Sequence, residues 1–261
     1  MGSFACRERN LAAGRRYRPS PSLEQARKAI LRMPSSTDVE LRNRALIACL
    51  LLTGARVAAL TSFKLRHVMP NRIGIEQDAL DVRTKGSKTF STYFFPVGDD
   101  IREIFVDYVD HLRGRLGWDE DDPLFPATRQ DVGATRKFEI VGLDRGKGWK
   151  TADPVRDIFR RAFDAVELPR YAPHSIRRTL ALLGQERCRT PMEYKAWSQN
   201  LGHNAVLTTF TSYGALSDLD QAEIIAGLAP SKGNPGPEVE RLLKLLGEQL
   251  NRDKGGGGDG E

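Results

Sequence analysis

The chain is poor in the residues on which several kinds of function depend. Only three of its 261 residues are cysteine, Cys6, Cys49 and Cys188, an odd number with no CxxC pair. That argues against a disulfide framework and a cysteine-based zinc site, and it fits a reducing compartment. Four histidines and no HExxH motif argue against a metalloenzyme. The longest apolar run, around Leu46 to Leu52, is far short of the roughly 20 residues a membrane-spanning helix needs. The N-terminus is rich in arginine and has no apolar signal-peptide core, so the chain reads as cytoplasmic. Gly142-xxx-Gly146-Lys147-Gly148 is one residue short between its glycines and lacks Ser or Thr after the lysine, so it is no phosphate-binding P-loop. No internal repeat occurs.

What is present is a globular composition, 40% apolar, with a formal net charge of +6. The charge is uneven: residues 1–35 carry a balance of +6 and residues 214–261 a balance of −4. The front of the chain therefore suits a polyanion. Composition alone leaves nucleic-acid binding and a merely solvated basic face equally open.

Residues 1–22, with Arg7, Arg9, Arg15, Arg16 and Arg18 ahead of a Pro-Ser-Pro-Ser run, have no apolar period and read as a basic arm or linker. Thr37 opens a T-x-x-E capping box with Glu40, and Leu41, Ala45, Leu46, Cys49 and Leu50 recur at helical spacing up to Gly54, which predicts a helix. A short second helix is predicted from Arg56 to about Phe63. Val82, the Lys85-Gly86-Ser87-Lys88 turn and the β-branched and aromatic run from Thr89 to Phe95 predict a strand, a tight turn and a second strand. Helical patterns return over 99–114, 153–166, 174–187, 191–201, 205–213 and 218–227. Residues 118–151 read as a long basic loop with Arg136, Lys137, Arg145, Lys147 and Lys150, and loops of that length bind something or stay mobile. Residues 229–237 read as a linker, 238–252 as an amphipathic helix carrying Leu242, Leu243, Leu245, Leu246 and Leu250, and 253–261 as a disordered tail. That helix suits packing on another subunit or back on its own domain. Trp197 and Phe210 read as core.

The chemistry-bearing candidates are basic residues near helix starts. His174 and Arg177 stand three apart, which puts both on one face of a first helical turn, beside unpaired N–H groups and the positive end of the helix dipole. That geometry suits a phosphate oxygen, although a surface ion pair uses the same pattern. Gly202 is placed to end one helix before His203, and Tyr213 lies near the end of the next. Arg56 is the only charge between Leu50 and Leu60, so it must snorkel or serve a site.

In that order, Arg56, Lys85, His174-xx-Arg177, His203 and Tyr213 resemble the catalytic domain of the tyrosine recombinases, the phage-integrase family. The segment TGAR-V-xx-L from Thr53 to Leu60 is similar to the family's first arginine motif, and RTKGSK from Arg83 to Lys88 to its lysine-bearing β-hairpin. HSIRRT from His174 is similar to its HxxR motif, and LGHNAVLTTFTSY from Leu201 to its LGH…Y ending. The likeness covers roughly residues 20 to 228, with separations of 29, 89, 26 and 10 residues between successive motifs. It implies a catalytic domain over residues 23–228, α+β and mainly α-helical, with a small antiparallel β-sheet. Many family members place the tyrosine nine residues after the second histidine. Here Ser212 holds that position and Tyr213 follows. Tyr213 is assigned because a serine nucleophile belongs to a recombinase chemistry whose other motifs are absent. The family usually carries an N-terminal core-binding domain, which the short segment before residue 23 does not accommodate, so the sequence reads as a truncated protein or an excised domain.

The resemblance implies phosphodiester transfer that needs no cofactor, metal or ATP. Arg56 and Arg177 would clamp the scissile phosphate, Tyr213 would attack it, and Lys85, with Lys88 as its competitor, would protonate the leaving 5′-oxygen. His174 would accept the tyrosine proton and His203 would hydrogen-bond the phosphate. Tyr171 and Tyr194 are the rival tyrosines. Candidate DNA contacts are Arg15, Arg16, Arg18, Lys88, Arg136, Lys137, Lys147, Lys150 and Arg178. The implied partner is double-stranded DNA, with self-association on DNA into a tetrameric synapse through the C-terminal helix. The implied setting is the nucleoid of a bacterial or phage-infected cell. A catalytically silent DNA-binding module and a type IB topoisomerase-like strand-passage enzyme stay open as alternatives.

Overall fold

Three capping boxes set helix starts in the computed structural model, which describes residues 19–83, 89–132 and 138–202. Ser22 Oγ accepts from the Gln25 backbone N–H (3.1 Å) while Gln25 Oε1 accepts from the Ser22 N–H (2.9 Å), opening α1, Leu23–Arg32. Thr37 and Glu40 make the same reciprocal pair at the head of α2, Asp38–Thr53. Thr190 and Glu193 do so for α7, Pro191–Asn200. Each box satisfies N–H groups that a helix start leaves without partners. The sequence reading placed α2 and α7 but passed over α1, whose S-x-x-Q start is the same signal.

α2 is the central helix. Ala45 to Thr53 is buried without interruption, as expected of a helix surrounded by protein rather than lying on a surface. It contacts α1, α3 (Val57–Leu60), α4 (Asp99–Asp110), α5 (Asp153–Asp164) and α6 (Ser175–Arg187). α3 is shorter than its predicted span, because Ser62 Oγ and the Ser62 N–H both turn back onto Ala59 O (2.8 and 2.9 Å) and close the helix. α4 continues into a wider π turn over His111–Arg115. α5 buries Val155, Ile158, Phe159, Ala162 and Phe163 at helical spacing.

Two antiparallel pairs complete the described residues. β1 (Gly74–Gln77) pairs with β2 (Phe90–Tyr93) in the register Ile75 to Thr92. The predicted first strand was centred on Val82, and this is corrected. Asp78 begins a turn in which its carboxylate accepts from the Leu80 N–H (3.0 Å) and its carbonyl from the Val82 N–H (2.7 Å), so Val82 lies beyond the strand. The predicted loop over 118–151 is also corrected: it holds a hairpin of β3 (Pro126–Val132) and β4 (Phe138–Gly148). Its outer strands face water, with Val132, Ile140 and Val141 exposed, and its register shifts twice. The period of two that marks a half-buried strand is therefore missing from the sequence.

One hydrophobic core runs from Ala26 in α1 to Leu201 after α7. The chain divides into two units, Met1–Gly214 and Ala215–Glu261, and every described residue belongs to the first. The helices predicted over 205–213, 218–227 and 238–252 lie outside the described residues, as do the arm over 1–18 and the tail. Among the described residues no helix is long and apolar enough to cross a membrane.

Candidate active site

The turn between α2 and α3 is built around Gly54. It sits at φ +59°, and a Cβ there would lie 2.9 Å from Leu180 Cδ1 and 3.0 Å from Leu201 Cδ2. Only glycine accepts both the left-handed backbone and the close approach. That approach brings α6 and the end of α7 against the turn. Arg177, in the first turn of α6, donates from Nη1 to Gly54 O (2.6 Å) and from Nη2 to Leu201 O (2.5 Å). Arg56 occupies the N-cap position of α3 and is half-buried.

Arg177 is 8% exposed, and burial, followed by the charge of Arg56, lowers its pKa to about 10. It stays protonated at neutral pH, but its charge is held in a place that disfavours it. A small cleft opens there. Arg56, Arg83 and Arg177 line it together with Gln77, Thr92, Phe90 and Asn200, and no carboxylate is among its described lining residues. Arg56 and Arg177 put two guanidinium charges on one cleft, which favours an anion there, and a guanidinium fork is shaped to bond two oxygens of a phosphate.

The other walls are tied by specific bonds. Asn200 accepts from the Tyr93 N–H (2.7 Å) and donates to Tyr93 O (2.8 Å), so it joins the end of α7 to β2 as a further strand residue would. Gly202, at φ +66°, leaves room for the ring of Phe90, which a Cβ would meet at 3.1 Å. Buried Gln77 donates to Thr92 Oγ1 (2.8 Å) across the sheet. Arg83, the last described residue before residue 89, donates to Thr61 Oγ1 (2.8 Å), Thr61 O (3.3 Å), Trp149 O (3.0 Å) and Lys150 O (3.2 Å).

Of the residues expected from sequence, the structure thus brings Arg56 and Arg177 together. His174 is the N-cap position of α6 and is exposed, while Arg177 is buried. The expected unpaired N–H groups are corrected. The Ser175, Ile176 and Arg177 N–H groups donate to Ala172 O, Pro173 O and His174 O at 2.8, 3.2 and 3.3 Å. The preceding turn has already consumed the donors of this helix start. Lys85, His203 and Tyr213 lie outside the described residues, as do Arg15, Arg16, Arg18, Lys88, Arg136 and Lys137. Both rival tyrosines are engaged away from the cleft: Tyr171 donates to Gln25 Oε1 (3.3 Å) and meets Phe163 edge-on, and Tyr194 donates to Gln185 O (3.2 Å). Lys147 pairs with Asp144 (3.4 Å), Lys150 is exposed, and Arg178 is half-buried on α6. Trp197 packs against the core, as expected, and donates to Leu180 O (2.9 Å).

Arg83 and Asn200 were not singled out from the sequence. Both adjoin residues that were: Arg83 stands two before Lys85, and Asn200 immediately precedes Leu201-Gly202-His203.

No family model and no curated protein matches the chain by sequence. Solved structures do match by shape. XerA recombinase superposes with a TM-score of 0.54 at 20% identity, covering 82% of this chain and 65% of that one. XerH site-specific recombinase bound to palindromic difH substrate, in a post-cleavage complex, gives 0.57 at 20% identity over 84% of this chain and 55% of that one. A lambda integrase dimer bound to a COC′ core site gives 0.51 at 14% identity over 77% and 63%. The chain therefore spans 55 to 65% of the length of these three. With its helices, its small antiparallel sheets and its motif-bearing turns in this arrangement, the chain has the α+β fold of the tyrosine-recombinase catalytic domain.

Proposed function

We propose that the chain is the catalytic domain of a site-specific DNA recombinase or integrase that cuts and rejoins strands through a 3′-phosphotyrosyl intermediate. The observation that carries this reading is the convergence of Arg56 and Arg177 on one cleft. The fold likeness to recombinases whose structures hold DNA supports the choice of ligand.

Arg56 and Arg177 hold the non-bridging oxygens of the scissile phosphate. The Tyr213 oxygen attacks phosphorus and forms a new P–O bond as the bond to the 5′-oxygen breaks. A phenol has a pKa near ~10 and needs its proton removed as it attacks. His174 takes that proton, and Lys85 gives one to the leaving 5′-oxygen. His203 donates to a phosphate oxygen. Charge that grows on the phosphate meets donors already in place, and each such donor is typically worth about 2.7 to 4 kcal/mol in the transition state. The phosphotyrosyl ester keeps the energy of the bond that was broken, so a second 5′-hydroxyl reseals the strand by the reverse steps.

The test is covalent capture of DNA from a randomised duplex pool by the purified chain. Capture that persists in Ser212→Ala and disappears in Tyr213→Phe is the expected result. Binding without capture makes the chain a silent DNA-binding module, and capture with relaxation but no strand exchange makes it topoisomerase-like.

A further inference from the structure

The backbone that leads toward Lys85 is fixed at Arg83. The Arg83 N–H donates to Ser62 Oγ (3.0 Å), and the Arg83 guanidinium donates to Thr61 Oγ1, Thr61 O, Trp149 O and Lys150 O. Thr61 and Ser62 follow the helix that Arg56 immediately precedes, and both are tied back onto it. Thr61 Oγ1 donates to Ala58 O (3.1 Å) and Ser62 Oγ to Ala59 O (2.8 Å). Trp149 and Lys150 follow β4, so the same side chain also clamps the root of the outer hairpin. Where the described chain resumes, Thr89 Oγ1 accepts from the Ala79 N–H (3.1 Å) and Phe90 opens β2.

We propose that Arg83 is a positioning residue for the general acid, holding the chain ahead of Lys85 to the frame that carries Arg56. This rests on the reading of Lys85 as the proton donor to the leaving 5′-oxygen. Two residues of chain reach at most ~7 Å, so a fixed Arg83 limits where Lys85 can stand relative to the phosphate clamp. Proton transfer demands hydrogen-bond distance between acid and leaving oxygen, and a loosened donor loses rate steeply. Arg83 acts through Lys85 and breaks no bond itself.

A leaving group that needs no proton separates this role from a purely architectural one. In a duplex with sulfur in place of the bridging 5′-oxygen, attack by Tyr213 breaks the P–S bond and expels a thiolate. A thiol has a pKa of about 8.5, far below that of an alcohol, so the thiolate departs unaided. The substrate is the sequence that the wild-type chain captures from the randomised duplex pool, made with oxygen or sulfur at that atom. With oxygen, Arg83→Ala and Lys85→Ala should each slow capture by about 10²-fold or more. With sulfur, both should return to near the wild-type rate, whereas Arg56→Ala should stay slow.

Should Arg83→Ala fail to fold, Arg83→Lys keeps the charge but cannot reach four acceptors at two places in the fold. Arg83→Lys should show the same loss with oxygen and the same recovery with sulfur. An equal loss on both duplexes, or a loss confined to DNA affinity, overturns the positioning role. Recovery in Lys85→Ala but in neither Arg83 variant overturns it while sparing the reading of Lys85. No recovery in Lys85→Ala, or no capture by the wild-type chain, overturns that reading and this inference together.

Discussion

Arg177 does two things that pull against each other. Its guanidinium satisfies the carbonyls of Gly54 and Leu201, and its charge, buried beside Arg56, is held against solvent and against a like neighbour. Removing it leaves two carbonyls without their donor, a loss of about 1 to 3 kcal/mol in folding. Removing Arg56 instead relieves the repulsion. Arg177→Ala should therefore lower the thermal midpoint by several degrees, while Arg56→Ala should keep or raise it. Both should reduce DNA cleavage by about 10²-fold or more, with most of the DNA affinity kept because other phosphate contacts remain. Melting curves, covalent capture and gel shifts on the two variants check this. Equal melting losses in both would count against the repulsion. Vanadate or sulfate should raise the midpoint of the wild-type chain by filling the cleft, and this rise should shrink in Arg56→Ala.

The turns matter at the scale of elements more than the helices do. Gly54→Ala places a methyl group into Leu180 and Leu201 at a left-handed residue, which costs about 1 to 2 kcal/mol for the backbone alone before any repacking. It should cut both stability and cleavage, whereas Ser22→Ala, which removes only the cap of α1, should cost about 1 kcal/mol and leave cleavage near wild type. Urea unfolding and capture assays separate the two. Elements whose start or period is local were legible: the T-x-x-E box gave α2, and apolar spacing gave α5. The β3–β4 hairpin was not, because its outer residues face water on both sides and leave no alternation to read. Val82 misplaced the first strand because a buried β-branched residue in a turn resembles a strand residue in sequence alone.

For the whole molecule, acid should weaken the fold through His67. Burial holds this imidazole below its ordinary range more strongly than Asp81 raises it, and its Nδ1 accepts from the Lys64 N–H (2.9 Å). The folded chain therefore takes up this proton later than the unfolded chain does. Stability should fall as pH drops below about 6.5, until the folded histidine is protonated too. His67→Asn, which keeps an acceptor but cannot titrate, should flatten that part of the profile in melting curves recorded from pH 7 to pH 5. An unchanged slope would show that other groups set the acid limit. DNA affinity should fall steeply with salt, as expected when cationic side chains displace counterions from phosphates.

The sequence by itself determined which side chains can serve phosphodiester chemistry and in what order they stand, because motif spacing and capping signals are properties of a few neighbouring residues. Only the tertiary structure decided which of them meet. Arg177 reaches Gly54 across 123 residues of chain, and Asn200 reaches Tyr93 across 107. Burial and like-charge proximity arise from such distant contacts, and so the burial of Arg177 near Arg56, and the place of Arg83 between two elements, had no local pattern to announce them.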